Sequence, residues 1–402
     1  MANTLLTIDM ITREALMILK NNLTFTRGVN RTFDGKFGVD GAQIGDALRI
    51  RKPPRYTVRS GAAISTQDVT EDYTTLPLDS QKGVDTTFTT KELTLSIDEF
   101  SKRILGPAIA QLANQIDYDG LSLYKNVFNS VGTPATVPNA MLTYGSAGGK
   151  LSDSGAPVDG NRKLVIGSTM EYTIVDAVKG LFQSSTQIKK QYEDGNMGRS
   201  AGFDWSMSQN IATHTVGPLG GTPLVNGASQ TGASLVTDGW TAAAASRLVQ
   251  GDVFTIAGVF AVNPMTRAST GSLQQFVVTA AVSSDGSGNA TIPISPSIVT
   301  SGATQTVSGS PADNAALTIV GAAAASSPQG LAFHRDAFAL GMADLEVPRG
   351  VHFAGRMNDP DLGLSIRIVR QYDIATDKIP CRIDALYGWK CIRPELACRV
   401  QS

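Results

Sequence analysis

The sequence predicts an α+β chain interrupted by an all-β module, on three observations. First, charge is unevenly spread. The 402 residues hold 34 Lys and Arg and 35 Asp and Glu. Yet the 125 residues 206–330 carry only six of these, Asp238, Arg247, Asp252, Arg267, Asp285 and Asp313. Second, that stretch reads as short strands parted by turn clusters such as 283–289 (SSDGSGN) and 309–314 (GSPADN). In 250–264 (QGDVFTIAGVFAVNP), Phe254, Ile256, Phe260 and Val262 share one parity, and Val253, Ala257 and Val259 the other. A strand apolar on both faces is covered on both sides, as in a small barrel or sandwich. Third, helical and strand patterns with ordinary charge resume on either side. A step in composition at both ends fits a domain inserted in an exposed host loop whose ends lie close together.

From the N-terminus, residues 8–20 (IDMITREALMILK) have near-helical apolar spacing, with Ile11, Ala15, Ile18 and Leu19. Glycine-punctuated, extended sequence follows to residue 45 and reads as an arm. Residues 48–61 (LRIRKPPRYTVRSG) are strand-like and basic, with Arg49, Arg51, Lys52, Arg55 and Arg59. Pro53 and Pro54 bar a central strand, so the segment belongs at an edge or in a projecting hairpin. The return carries the opposite sign in Asp68, Glu71, Asp72 and Asp79, before VDTTFTTKELTL resumes as a strand.

Ser96-Ile97-Asp98-Glu99 has the spacing of a capping box. Ile109, Leu112, Ala113, Ile116, Gly120, Leu123 and Val127 then fall at three- and four-residue steps. With Pro107 as the break, a short capped helix, a kink and a helix of about 20 residues, roughly 30 Å long, are expected. Residues 131–160 read as a glycine- and proline-rich loop. Strand 164–166 and helix 171–182 follow, then a glycine-rich stretch with EDGN at 193–196. After the module, 330–340 (GLAFHRDAFAL) has helical spacing, and the chain ends in strands, 362–374 and 381–400.

Composition excludes several functions. Net charge is −1, and no domain is basic enough to grip nucleic acid by its backbone. The apolar run 315–325 is far short of the ~18 residues of a spanning helix. Asp9, Arg13 and Glu14 interrupt the apolar N-terminal stretch, which is therefore not a signal peptide. Cys381, Cys391 and Cys398, clustered near the end without a neighbouring His, suit neither a disulfide framework nor zinc; they are expected to be partly buried thiols. His214, His334 and His352 form no H-E-x-x-H, and no G-x-S-x-G elbow accompanies His334 and Asp336. GSAGGKLS (145–152) lacks the Ser or Thr after Lys150 that a phosphate loop needs, so it reads as a glycine loop. EDGN has no EF-hand spacing. No catalytic residue, metal site or cofactor is expected. Arg49, Arg51, Arg55, Arg59, Glu71 and Asp72 remain as candidates for electrostatic docking between copies. Each exposed pair is worth about 0–1 kcal/mol, but a symmetric assembly repeats it in every copy.

Four stretches, in order, resemble one family. These are RKLVIGSTMEYTIV (162–175), EDGNMGRSAGFDW (193–205), QGDVFTIAGV (250–259) and CRIDALYGWKCIRPELACRV (381–400). They are similar to the major capsid proteins of tailed phages, in the branch typified by phage P22 coat protein. The resemblance implies an HK97-like capsid fold: an N-terminal arm (1–45), an E-loop with flanking strands (46–95), a P-domain with its spine helix (96–130) and an A-domain (131–212). An inserted β-barrel (213–328) and the remaining A- and P-domain strands (329–402) would complete it. It also implies a coat protein forming pentamers and hexamers in an icosahedral shell around double-stranded DNA. Its expected partners are a scaffolding protein and a portal, and its place the virion, after assembly in the bacterial cytoplasm without a membrane. The charged loop that family members carry early in the inserted domain is missing, since 223–236 (PLVNGASQTGASLV) has no charge. The same fold could serve a cellular nanocompartment shell, and the module alone could suit a glycan-binding tail or adhesin protein.

Overall fold

The computed structural model describes residues 17, 19, 23–31, 47–64, 66–68, 71–89, 106–178, 197–359 and 364–402. The capping box at 96–99 and EDGN at 193–196 lie outside them, as does nearly all of the helix expected at 8–20. The chain divides into two compact units: residues 1–51, 73–120 and 338–392, and residues 52–72, 121–337 and 393–402.

In the first unit, β1 (Ala47–Arg51) and β2 (Tyr73–Pro77) form an antiparallel pair, with Arg49 opposite Thr75 and Arg51 opposite Tyr73. Period-two alternation sets its faces. Ile50 and Leu76 join Ala339 and Ile392 in a buried cluster, while Arg49 and Arg51 point to solvent. β3 (Ser80–Thr89) then runs to the edge of the described chain. The helix α1 (Gly106–Leu121) passes directly into a 3₁₀ turn, Ser122–Asn126, in the second unit. The expected apolar face is present, with Ile109, Leu112, Ala113 and Ile116 buried. The described α-helical part, Gly106–Leu121, spans 16 residues, about 24 Å, and contains Pro107; the short capped helix expected before it lies outside the described residues. Gly120 is required on this face, because a Cβ there would stand 2.7 Å from Trp389 and 2.8 Å from Phe25.

Four strands late in the chain complete the first unit's larger sheet: β18 (Phe338–Ala343), β19 (Phe353–Asp359), β20 (Leu364–Arg370) and β21 (Lys378–Cys391). Their order is β18-β21-β20-β19, with β3 also paired to the long β21. Buried and half-buried carboxylates tie these distant segments together. Asp117 of α1 accepts the amides of Thr24 (2.6 Å), Phe25 (3.1 Å) and Thr26 (3.1 Å), and the Thr26 hydroxyl (2.6 Å). Burial pushes its carboxyl above the usual range, and those four hydrogen bonds pull it back part of the way. Asp119 accepts from Lys82 (2.7 Å) and the Tyr387 hydroxyl (2.6 Å). Asp384 accepts from Arg367 and Arg382, each at 2.7 Å.

The second unit begins with β4 (Ser130–Val131), α2 (Met141–Asp153), β5 (Arg162–Ile166), α3 (Ser168–Val178), β6 (Arg199–Ser200), β7 (Phe203–Met207) and β8 (Thr213–Thr215). The helix α2 overturns the expectation of a loop at 131–160, and GSAGGKLS lies inside it. Its buried stripe is Tyr144, Ala147 and Leu151, at helical spacing, and Gly148 lets Phe203 approach to 3.2 Å from where a Cβ would be. Three glycines hid a helix stabilised by packing. β5 and β7 are parallel neighbours connected through α3, as a crossover requires.

The charge-poor stretch folds as β9 (Gly221–Val225), β10 (Gly232–Trp240), β11 (Ala245–Leu248), β12 (Val253–Val262), β13 (Ser269–Val278), β14 (Val282–Ser284), β15 (Ala290–Ile298) and β16 (Leu317–Ile319). Six form a sheet in the order β16-β12-β13-β15-β10-β9. A bridge between Leu224 and Ala316 joins its two edge strands, closing it around Leu235, Trp240, Phe254, Ile256, Phe276 and Ile292. β12 obeys the expected parity only up to Ile256. Gly258, at φ +80°, forms a bulge; beyond it Val259 turns inward and Phe260 outward. Val253, on the opposite parity, packs with Phe128 and Val277.

After it come β17 (Ser326–His334) and, at the chain's end, β22 (Ala397–Gln401). Residues 330–340 are thus the end of β17, a 3₁₀ turn and the start of β18, not a helix; their apolar residues are buried on both faces of a central strand, which blurs the period. β17 stands between β22 and β5, and its first residues pair with β8, Ser327 opposite His214. The two chain crossings at either end of the charge-poor stretch are therefore adjacent. His214 bridges Asp252 (2.9 Å) and the Tyr124 hydroxyl (3.2 Å), and Arg399 donates to the Gly251 carbonyl (2.8 Å).

Candidate functional site

Residues 52–72 connect β1 to β2 and are braced at three levels. At the neck, the Lys52 amide donates to the Asp72 carbonyl (2.8 Å) and the Lys52 ammonium meets the Asp72 carboxylate (3.2 Å). Midway, the Gln67 side-chain oxygen accepts from the Thr57 amide (2.7 Å) and hydroxyl (2.6 Å), while its NH₂ donates back to the Thr57 carbonyl. At the tip, Arg59 donates to the carbonyls of Gly61 and Ala63. These bonds satisfy a backbone that Pro53 and Pro54 keep out of any ladder.

The six residues expected to act here are not one patch. Arg49 and Arg51 lie on the solvent face of β1, with the Arg49 guanidinium 5.1 Å from the centre of the Tyr73 ring. Arg55 instead meets Glu395 (3.3 Å), which also accepts from Arg393 (3.2 Å). Arg59 is consumed in the tip, Asp72 in the neck, and Glu71 is exposed beside it. Tyr56, Val58 (95% exposed) and Ile64 (85%) give the loop an apolar surface that charge reading overlooked. Also missed were Gln67, Glu395 and Arg267, whose guanidinium donates to the Tyr56 carbonyl. Arg267 had one visible signal, being one of two cations in a segment almost without charge.

The chemistry-bearing side chains elsewhere are structural. His334 is held by Asp159 (3.2 Å) and by the Asp336 amide (3.3 Å) on its other nitrogen. Lys150 reaches the Gln275 side chain, and burial holds its ammonium below the usual range. The three cysteines form no disulfide and are buried, Cys398 completely; burial pushes the Cys398 thiol up to about 12, far from a reactive thiolate. Among the described residues no cluster of His, Cys, Asp and Glu could hold a metal, and no helix is long and apolar enough to cross a membrane.

The described residues thus form a mixed sheet with two helices, a closed six-stranded β module and a braced loop between β1 and β2. The family model for P22 coat protein (gene protein 5) matches residues 78–400, and the chain belongs to that family. It is a major capsid protein of a tailed phage, a structural component of the virion whose copies assemble into a shell. No curated protein matches the chain. Similar solved structures include one from Mycobacterium phage Che8, with 14% identity, TM-score 0.48 and coverage of 94% of this chain and 90% of that one. The capsid of Cyanophage P-SCSP1u shares 10% identity at TM-score 0.42, covering 89% and 83%. A virus-like particle from Pyrococcus furiosus shares 8% at TM-score 0.38, covering 98% of each.

Proposed function

We propose that the chain has the HK97-like organisation, with 46–95 as the E-loop and its flanking strands, the helix of 96–130 as the spine of the P-domain, and 213–328 as an inserted barrel between the first A-domain part, 131–212, and the A- and P-domain remainder, 329–402. Copies gather through pentamers and hexamers into an icosahedral shell around double-stranded DNA. A scaffolding protein and a portal direct this in the bacterial cytoplasm, and the arm 1–45 reaches across neighbours.

The observation that carries this reading is the braced loop itself. A 21-residue excursion with three tiers of hydrogen bonds presents Val58 and Ile64 to solvent. A loop with no intermolecular role gains nothing from such order and exposure. Arg49, Arg51 and Glu71 supply the charged rim that sets orientation, while Arg55, Arg59 and Asp72 shape the loop. Specific contacts of this class bury more than about 1,000 Å².

Electron microscopy and sedimentation of the recombinant chain, alone and co-expressed with its neighbouring genes, test the reading. Closed shells several hundred ångström across, formed with the neighbours, are expected. Arg51→Glu should hinder their assembly while leaving the subunit's circular dichroism unchanged. Monomers under every condition would overturn the proposal.

A further inference from the structure

Residues 52–72 cluster with the unit that contains the β module, although the strands they connect belong to the other. Two contacts hold them there. The Arg55 guanidinium meets the Glu395 carboxylate at 3.3 Å, both groups being only partly exposed. The Arg267 guanidinium donates to the carbonyl of Tyr56, the next residue along.

Arg267 is placed for this with care. It ends a turn in which the Asn263 side chain accepts the amides of Met265 (2.9 Å) and Thr266 (3.2 Å), and the Arg267 amide donates to the Asn263 carbonyl (2.7 Å). Arg267 itself sits at φ +58°, a left-handed conformation that is costly for a long side chain. Among the module's six charges, four have local work. Asp252 binds His214 and two amides, and Arg247 donates to the carbonyls of Leu219 and Thr241 and to Ser284. Asp285 closes its own turn, and Asp313 accepts the Gly227 amide. Arg267 reaches outside the module, to the loop.

We propose that Arg267 and Glu395 latch the loop against its own subunit, and that release of this latch gates the subunit's addition to the shell. This rests on the reading of 52–72 as an assembly element. The latched loop spends its Arg55 and its Tyr56 carbonyl internally and fixes where Val58 and Ile64 point. A subunit competent to bind only when released associates more weakly by the fraction released. The two contacts are of the partly exposed kind, so each closes the loop by about fivefold at most. A latch of that strength holds a free subunit and yields to a neighbour. It gives the barrel a task carried by one cation, Arg267.

The test uses the full-length, unassembled subunit. Hydrogen exchange across 52–64 is measured for wild type, Glu395→Gln and Arg267→Gly, the last removing the guanidinium and relieving the positive φ, so that a loosened loop cannot be laid to a damaged turn. Exchange should rise about fivefold in each and further in the pair. The lag in light-scattering assembly, at fixed subunit concentration with scaffold, should shorten in the same order. Unchanged exchange in both variants overturns the latch. Faster exchange with a longer lag overturns the gating role, because the contacts then belong to the finished shell. Val58→Asp separates the underlying reading: Val58 takes part in neither latch contact, so wild-type assembly by that variant would remove the loop from the interface while leaving the exchange result to stand.

Discussion

The β module and the five-stranded sheet with its helix α1 bury their interiors by opposite means. The module encloses Leu235, Trp240, Phe254, Ile256, Phe276 and Ile292 in a sheet closed on itself, and of its six charges only Asp238 and Arg247 lie within strands. The five-stranded sheet is assembled from segments nearly 300 residues apart in sequence, as in the pairing of β3 with β21, and it buries Asp117 and Asp384. Closure leaves the sheet without free edges, so apolar packing can carry most of the module's definition. An open sheet gathered from distant strands has competing registers, and buried carboxylates with fixed donors penalise the wrong ones.

The sharpest break would be Phe254→Ala. Phe254 is fully buried against Phe276, with ring centroids 5.8 Å apart, and its truncation should cost the module about 3–5 kcal/mol. Chemical denaturation followed by Trp240 fluorescence would report it; a loss below about 1 kcal/mol would mean the barrel is not a tightly packed core. Next is Asp384→Asn, which leaves Arg367 half-buried without its carboxylate. A loss of about 3 kcal/mol is expected, smaller than for a fully buried pair because Arg382 is largely exposed. The urea midpoint measures it, and Asp384→Leu would tell pairing from burial.

Asp117→Asn should cost about 2 kcal/mol, since an amide offers one acceptor oxygen to four donors and turns an NH₂ toward the rest. Faster exchange of the amides of residues 24–26 would locate the damage. The smallest effect depends on pH. Burial pushes the Cys398 thiol up from its ordinary 9.0 to about 12, so the neutral form is favoured in the folded state. Its contribution is intact below pH 9 and is lost as pH rises toward 12, because the unfolded chain releases that proton first. Near pH 10.5 the loss is about 2 kcal/mol, and Cys398→Ala should flatten that part of the stability profile.

Much of this was legible in sequence because it depends on local periodicity. The alternation in β1, the apolar face of α1 and the turn-bounded strands of the module each express backbone geometry within ten or so residues. The failures share one cause as well. The helix α2 carries three glycines and is helical because Tyr144, Ala147 and Leu151 are buried. The run through β17 and β18 looked helical because strands covered on both faces lose their alternation. At Gly258 one extra residue reversed the inward face of β12.

The candidate site divides in the same way. Composition alone determined that residues 49–72 are rich in charge and that a stretch nearly free of charge sits between two charged regions. Tertiary structure alone decided which charges meet. Arg55 finds Glu395 340 residues away, and Tyr56 finds Arg267 across 211. No periodicity reports such pairings, because they are chosen by how packed elements converge, and that is settled only once the apolar faces are buried.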